Sequence, residues 1–344
     1  LGYALFRLNR LGPNLLLGFF AVSLAMLASS MDFSLLFSTE TYAALYQSNS
    51  IHAAVSAGLI LIGAIGWFVY CATNRNLPAP RRVVSLAIAV AVIGYSLLAV
   101  LGANSKGVWL ALFLVVIAEA ILLALSVPAG RHKLAVAMPV VVMIAIGFAL
   151  RDRLMTVAFD TLDVLVDVVV DAVASGDPLR TLQVHIDAHS APESAQIRLE
   201  LLYNALTVWR QNFWFGAGPF WADMMTHAPY PAGGFTTIHN AFLEIAVRYG
   251  LLGLVSVGTI VLGCLYNARR AGRRGLLPRV AVHTYAMLVV FYLTASLTNS
   301  NSHQAFGEVF VLLSCGFGLS CLFLVRADEA RTLADPAVES RQQG

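Results

Sequence analysis

The chain has 344 residues, of which 58% are hydrophobic and only 12% are charged, and its formal net charge at pH 7 is +3. These values exclude a water-soluble domain, in which about a quarter of the residues are typically charged, and they indicate an integral membrane protein. The small positive charge comes from basic residues between apolar segments, so it is no indication of nucleic-acid binding.

Apolar segments of membrane-spanning length recur along the chain. A span needs about 20 mostly apolar residues, and the sequence predicts an all-α fold, a polytopic transmembrane helical bundle with about eight spans. They are predicted at residues 11–31, 52–72, 83–103, 108–127, 134–150, 238–266, 280–298 and 305–325. Because the chain starts at Leu1 without a methionine or a signal-peptide pattern, an N-terminal truncation is expected.

The orientation of the spans is predicted from loop charge, because Lys and Arg accumulate on the cytoplasmic side of a membrane. Basic residues occur in alternate loops, which places both termini in the cytoplasm and the longest loop outside. The predicted division is transmembrane helices 1–5 at 1–150, a periplasmic helical loop at 151–237, transmembrane helices 6–8 at 238–325 and a cytoplasmic tail at 326–344.

The outer loop is too long for a simple connector and is expected to contain helices. Aspartates recur at helical spacing in 156–175, which favours a helix at the membrane surface with a solvated acidic face. A second helix is predicted from about Ser190 to Asn212, with Arg198 and Arg210 on it. The glycine-rich GAGP at 216–219 ends this helix and turns the chain.

Three tryptophans of the outer loop and one charged pair in the sixth predicted span lead to two further predictions. Trp209, Trp214 and Trp221 lie close together in the sequence, which favours an aromatic belt at the membrane interface; stacking on sugar rings is the alternative. Glu244 and Arg248 are four residues apart in the sixth predicted span and are expected to pair on one helix face.

No metal site is predicted in the outer loop. His185 and His189 are one helical turn apart, but the sequence offers no convincing third ligand. The four aspartates of 156–175 could bridge a divalent cation to a phosphorylated lipid, although a solvated face explains them more simply.

Three motifs follow one another on the predicted outer side: NSKGVWLAL at 104–112, RLELLYNALTVWRQNFWFGAGPF at 198–220 and HNAFLEIAVRYGLLG at 239–253. They resemble, in order, an S-R-G-x-x-L-A motif, an Arg-led helix that ends in G-x-G-P, and H-N-x-x-L followed by G-x-x-G. These are motifs of the O-antigen ligase and lipid-linked oligosaccharide polymerase superfamily, glycosyltransferases of the bacterial inner membrane. Lys106 stands where the family usually has Arg.

The resemblance, which is greatest to the O-antigen ligases, implies an activity. An O-antigen glycan would move from an undecaprenyl-diphosphate carrier to a lipid A-core acceptor, among membrane lipids at the periplasmic face. Neither a cofactor nor a metal would be needed. The alternatives are an O-antigen polymerase of the same superfamily and a transporter or flippase for lipid-linked glycan. A transporter typically shows repeated halves, and no convincing internal repeat is found. A scaffolding role is the third class.

Site residues follow from the same resemblance. Arg198 and Lys106 would hold and neutralise the diphosphate, and His239 would take the proton of the acceptor hydroxyl or orient that hydroxyl. Substrate binding would be supported by Arg210, Asn240, Trp209 and Trp221.

Overall fold

The computed structural model describes residues 12–36, 41–74, 76–126, 164, 166–189, 191–230, 237–301 and 304–334. Every regular element in these ranges is a helix, so the all-α prediction is confirmed for them. The predicted fifth span at 134–150 lies outside the described residues, as do Asp160 and Asp163 of the acidic stripe.

Eleven α-helices are named here in chain order: α1 Gly12–Ser30, α2 Phe33–Leu36, α3 Ser50–Thr73, α4 Ala79–Gly102, α5 Lys106–Ser126, α6 Pro178–Asp187, α7 Glu193–Gln211, α8 Trp221–Thr226, α9 Ala241–Arg273, α10 Arg279–Ser296 and α11 Ala305–Ala334. A helical segment also covers 166–175, and a 3₁₀ turn, Gly218–Phe220, precedes α8.

Five of the helices in the described ranges are long and apolar enough to cross a membrane, namely α3, α4, α9, α10 and α11. The first and fourth predicted spans correspond to α1 and α5, whose apolar stretches are shorter, at Asn14–Ser30 and Lys106–Ala118. The protein is therefore a multi-pass membrane protein, with five candidate spans among its described residues. The count of about eight and the periplasmic position of 151–237 stay predictions.

Helix ends follow local residue preferences. The Asn49 side chain accepts a hydrogen bond from the Ile51 amide at 2.8 Å and so caps α3. Asp177 does the same for α6 by accepting from the Arg180 amide at 3.1 Å. The helix predicted from Ser190 begins instead at Glu193, because Pro192 occupies the N-cap position in an extended conformation.

Contacts divide the chain into two compact units. Unit 1 contains Leu1–Val141, Ile260–Tyr292 and Gln304–Gly344; unit 2 contains Val142–Thr259 and Leu293–His303. In unit 1, α3 buries a face rich in small residues. Its Gly66 lies so close to Thr284 of α10 that an added Cβ would be 2.0 Å from the threonine hydroxyl oxygen.

Unit 2 is built around α7. One side of this helix packs against α8 and the start of α9 through an apolar cluster of Leu201, Ala205, Val208, Met225, Ile238, Leu243, Ala246 and Val247. A second cluster joins α7 to α6 and the 166–175 helix through Val168, Leu182, Ile186 and Leu199. Each fully buried aliphatic side chain contributes about 1.5–3 kcal/mol relative to an exposed one, so α7 is held from two directions.

The helix at 166–175 confirms the described half of the predicted acidic helix. Asp167 and Asp171 are exposed, as a solvated face requires, while Val168 is buried against the second cluster. Nε2 of His185 lies 2.9 Å from a carboxylate oxygen of Asp171 and ties this helix to α6.

Candidate functional site

The last two sequence motifs meet at a break in α9. Gly250 interrupts this helix with φ 67° and ψ −165°. In an unbroken helix the Leu251 amide would donate to the Val247 carbonyl. Here the Leu251 amide donates to the Phe213 carbonyl at 2.8 Å, and the Val247 carbonyl accepts from the Ala217 amide at 2.7 Å. The loop after α7 thus replaces the hydrogen bonds that the broken helix gives up.

Two glycines make this interlocked segment possible. Gly216 has φ +70° and Gly250 has φ +67°, values that other residues rarely adopt. A Cβ at Gly216 would lie 2.4 Å from the backbone of Arg248, and one at Gly250 would lie 2.3 Å from the carbonyl group of Trp214. Backbone atoms cannot move aside as flexible side chains can, so both positions require glycine.

His239 lies immediately before α9 and outside this candidate span. Its backbone has a positive φ of 55°, a conformation uncommon for a residue with a side chain. Ile238 on one side is buried in the core of unit 2. Asn240 on the other side caps α9, because its Oδ1 accepts from the Leu243 amide at 3.0 Å. The histidine is therefore fixed by a core residue and by a helix cap.

The His239 imidazole has three polar neighbours from three segments of unit 2. Burial lowers the pKa of His239 below its ordinary value, and the positive charge of Arg198 lowers it further. A hydrogen bond with the Asn299 side chain and the negative charge of Glu244 act in the opposite direction. The net effect lowers the pKa, so the imidazole is neutral at pH 7 and able to accept a proton.

Arg198 lies on α7, with Leu199 and Leu201 beside it buried in the two apolar clusters. Its side chain is exposed, yet nearby atoms remove part of its hydration and lower the pKa of the guanidinium. An arginine remains charged in spite of such a shift. The structure therefore brings together Arg198 and His239, two of the three residues predicted as catalytic.

A buried amide of α7 binds the backbone of Tyr230. Asn204 is fully buried, its Nδ2 donates to the Tyr230 carbonyl at 2.7 Å, and its Oδ1 accepts from the Tyr230 amide at 3.2 Å. This double hydrogen bond fixes the chain at Tyr230, shortly before the residues 237–240.

Glu244 and Arg248 form the predicted pair, with a distance of 2.5 Å between the carboxylate and the guanidinium. The Glu244 side chain is 1% exposed, so its charge requires the nearby cation. Arg248 also lies over the ring of Trp221, 4.2 Å from the ring centroid. One face of Trp221 is thus taken by a cation–π contact.

The remaining predicted residues have separate positions. Trp209 stacks on Phe213, and its indole N–H donates to the Phe213 carbonyl at 3.2 Å. Arg210 is exposed in the last turn of α7. Lys106 is the exposed first residue of α5 and belongs to unit 1.

Within the described ranges, no three side chains of His, Cys, Asp or Glu are grouped to hold a metal ion. His185 contacts Asp171, as described above, and Nδ1 of His189 lies 3.1 Å from the Asp187 carbonyl oxygen. The two histidines therefore have separate protein partners.

Sequence reasoning did not identify Asn299 as a neighbour of His239. It lies in the turn between α10 and α11, far from His239 in the chain. The available signal was the polar run TNSNS at 298–302 between two apolar helices. Of its described residues, Asn299, Ser300 and Asn301 are buried, which a polar run in a plain connector would not be.

A comparison with known protein families matches residues 91–258 to the family described as O-antigen ligase. The matched range contains all three motifs and ends in α9 just after the break at Gly250. It confirms the resemblance and supports the O-antigen ligase superfamily. The family implies a glycosyltransferase-like membrane enzyme that acts on lipid-linked glycan. A comparison with curated proteins found no match.

Proposed function

Since the chain matches the O-antigen ligase family, we propose that it transfers an O-antigen glycan from undecaprenyl diphosphate to a lipid A-core acceptor. The reaction would take place at the periplasmic face of the bacterial inner membrane without a metal. The observation that carries this proposal is that Arg198, a permanent cation, lies near enough to the neutral imidazole of His239 to lower its pKa.

The proposed reaction needs a cation at the leaving group. As the bond between the sugar C1 and the diphosphate oxygen breaks, negative charge develops on the departing diphosphate. Arg198 is always charged and can offer two parallel N–H donors to phosphate oxygens. Its partial desolvation strengthens that interaction. Lys106 is proposed as a second cation for the diphosphate.

The reaction also needs a base for the acceptor. The acceptor hydroxyl oxygen forms the new bond to C1 and gives up its proton, which His239 is proposed to accept. A lowered pKa keeps His239 unprotonated before the reaction, although it also makes the imidazole a weaker base.

Binding of the donor would raise the basicity of His239 again. The diphosphate carries negative charge to Arg198, and that charge offsets the effect of the guanidinium on His239. The basicity of His239 then rises when the donor is in place. The free enzyme thus keeps the base neutral, and the donor complex makes it effective.

The other predicted residues take supporting roles in the proposal. Asn240 would act on the reaction by capping α9 beside His239. Arg210 and Trp209, at the exposed end of α7, would border the glycan, as would the face of Trp221 that does not contact Arg248.

Deletion of the gene, followed by gel electrophoresis of lipopolysaccharide, tests the proposed function. A ligase mutant loses every glycan band on lipid A-core and retains lipid-linked polymer, and the wild-type gene restores the bands while the Arg198→Ala gene does not. A single-repeat band on lipid A-core would identify a polymerase instead. An unchanged ladder would contradict both activities.

A further inference from the structure

Four arginines lie at the C-terminal end of α9, and the structure divides them between two faces of the helix. Two of them pair with acidic side chains of α11, within unit 1. Arg270 contacts Glu329. Nη1 of Arg274 lies 3.2 Å from Oδ2 of Asp328, and its Nη2 lies 2.8 Å from Oε1 of Glu329. These two guanidinium groups therefore hold α9 against α11 and are neutralised there.

The other two arginines, Arg269 and Arg273, are exposed on a different face. They continue a row of residues at helical spacing that starts with Leu262 and Tyr266, which are 67% and 63% exposed. We call these four residues the exposed stripe of α9. In the part of the chain that the structure describes, neither Arg269 nor Arg273 forms an ion pair. The stripe therefore ends in two cations without acidic partners.

The opposite face of the same helix is covered by protein. Cys264, Ala268 and Ala271 are buried there. Gly272 lies against α10, so closely that an added Cβ would be 2.7 Å from Cγ2 of Val282. The exposed stripe points away from this packed side, and α9 is a candidate membrane span. In a membrane its apolar part is therefore covered by lipid.

The exposed stripe changes from apolar to cationic in the direction in which a lipid changes from acyl chain to phosphate. Leu262 comes first, and Tyr266 follows with the kind of side chain that is enriched at membrane interfaces. Arg269 and Arg273 lie on successive turns, about 6 Å apart along the helix. Guanidinium groups can donate parallel N–H bonds to phosphate oxygens. The order and chemistry of the stripe thus match one phospholipid molecule.

We propose that the exposed stripe of α9 binds an anionic phospholipid of the bilayer, with an acyl chain along Leu262 and Tyr266 and the phosphate between Arg269 and Arg273. An anionic headgroup fits two unpaired cations, whereas a zwitterionic headgroup brings a positive charge of its own. The proposal uses no residue of the candidate functional site and is independent of the proposed function.

Lipid binding is measured by native mass spectrometry of the purified full-length protein in non-ionic detergent during a titration with phosphatidylglycerol. Phosphatidylcholine with the same acyl chains is the zwitterionic comparison. The test variant combines Arg269→Gln with Arg273→Gln, which removes both charges and keeps polar side chains. The control variant combines Arg180→Gln with Arg331→Gln, because both arginines are exposed and neither belongs to the exposed stripe.

The wild type should bind phosphatidylglycerol more tightly than phosphatidylcholine. Each arginine near an anionic lipid contributes about a 5-fold gain in affinity, so the test variant should bind phosphatidylglycerol roughly 10- to 30-fold more weakly. Its affinity for phosphatidylcholine should stay the same. The control variant should keep the wild-type preference. Equal phosphatidylglycerol affinity in the wild type and the test variant would overturn the proposal.

An equal loss in the control variant would also reject the proposed site, since the overall charge of the protein would then attract the lipid. Salt gives a test that needs no variant. Raising ammonium acetate from about 0.1 M to about 1 M shortens the Debye length from about 10 Å to about 3 Å. The preference of the wild type for phosphatidylglycerol should decrease accordingly, and a preference that does not change with salt would contradict the role of the two exposed arginines.

Discussion

α3 and α9 have apolar windows of nearly equal hydropathy but very different structures. The most apolar windows of the two helices have mean hydropathies of 2.0 and 1.9, but 67% of the window in α3 is buried and only 17% of that in α9. α3 is a continuous helix that serves packing. α9 is broken at Gly250 and exposes apolar side chains such as Leu252 and Leu262, which suit a lipid environment.

Glycine has a different purpose in each helix. Gly58 and Gly66 of α3 remove side-chain volume where α10 comes close, at Phe291 and Thr284. Gly250 of α9 supplies a backbone conformation and room for another stretch of backbone. Close packing can adjust when a side chain moves, whereas the interlocked segment cannot adjust in this way. Substitutions in the two helices should therefore differ in effect.

Gly250→Ala should have the largest effect. A Cβ would meet the Trp214 carbonyl group, and the backbone conformation, φ 67° and ψ −165°, costs a residue other than glycine a further ~1–3 kcal/mol. We expect transfer to fall roughly 100-fold, because displacing the start of α9 by about 1 Å misplaces His239. Gly258→Ala in the same helix is the control, since nothing lies within 4 Å of an added Cβ there. Equal rates for both variants would show that the interlocked segment does not support the site.

Removal of the Glu244 carboxylate should destabilise the protein next most. Glu244→Ala leaves Arg248, which is 21% exposed, without its ion-pair partner, and breaking a buried pair costs about 3–5 kcal/mol, less here because Arg248 is partly exposed. The midpoint of thermal unfolding in detergent should fall.

The double variant Glu244→Leu with Arg248→Leu is the comparison, because an apolar pair of similar volume removes the unpaired charge. It should recover much of the loss. A double variant as unstable as Glu244→Ala would contradict the view that the unpaired charge of Arg248 causes the loss.

Gly66→Ala should have the smallest effect of the three. The new methyl group would press on the side chain of Thr284 rather than on backbone, and such overpacking typically costs about 1–3 kcal/mol. The expected result is a lower unfolding midpoint with near-normal transfer per folded molecule. Gly94→Ala in α4 is the matched control, because an added Cβ there has no neighbour within 4 Å. Loss of transfer in folded Gly66→Ala would remove the proposed contrast between α3 and α9.

Helix positions could be predicted from sequence because long apolar segments leave a helix few alternatives in a membrane. The predictions at 52–72 and 280–298 agree closely with α3 and α10. α9 was predicted as one uninterrupted span, and its break was missed, because hydropathy does not report backbone dihedral angles. The motif H-N-x-x-L with G-x-x-G contains Gly250. The need for glycine at this position follows only from the loop at 213–217, whose backbone lies against it.

The candidate functional site could also be predicted only in part from the sequence. Arg198 and His239 could be singled out because the motifs that carry them resemble a family. The position of Asn299 near His239 could not be predicted, since contacts between distant loops leave no periodic pattern in a sequence. Lys106 remains a prediction from its motif.

The transfer rates of purified Arg198→Ala and His239→Ala, with undecaprenyl-diphosphate-linked oligosaccharide and lipid A-core, test the central claim most directly. Arg180→Ala and His227→Ala are matched controls, because both residues are exposed in unit 2 and lie outside the site. The account predicts a loss of about 10² to 10³ for Arg198→Ala and of about 10² to 10⁴ for His239→Ala, with both controls near wild type. Near-normal transfer by Arg198→Ala and His239→Ala, inserted in the membrane at normal levels, would contradict it.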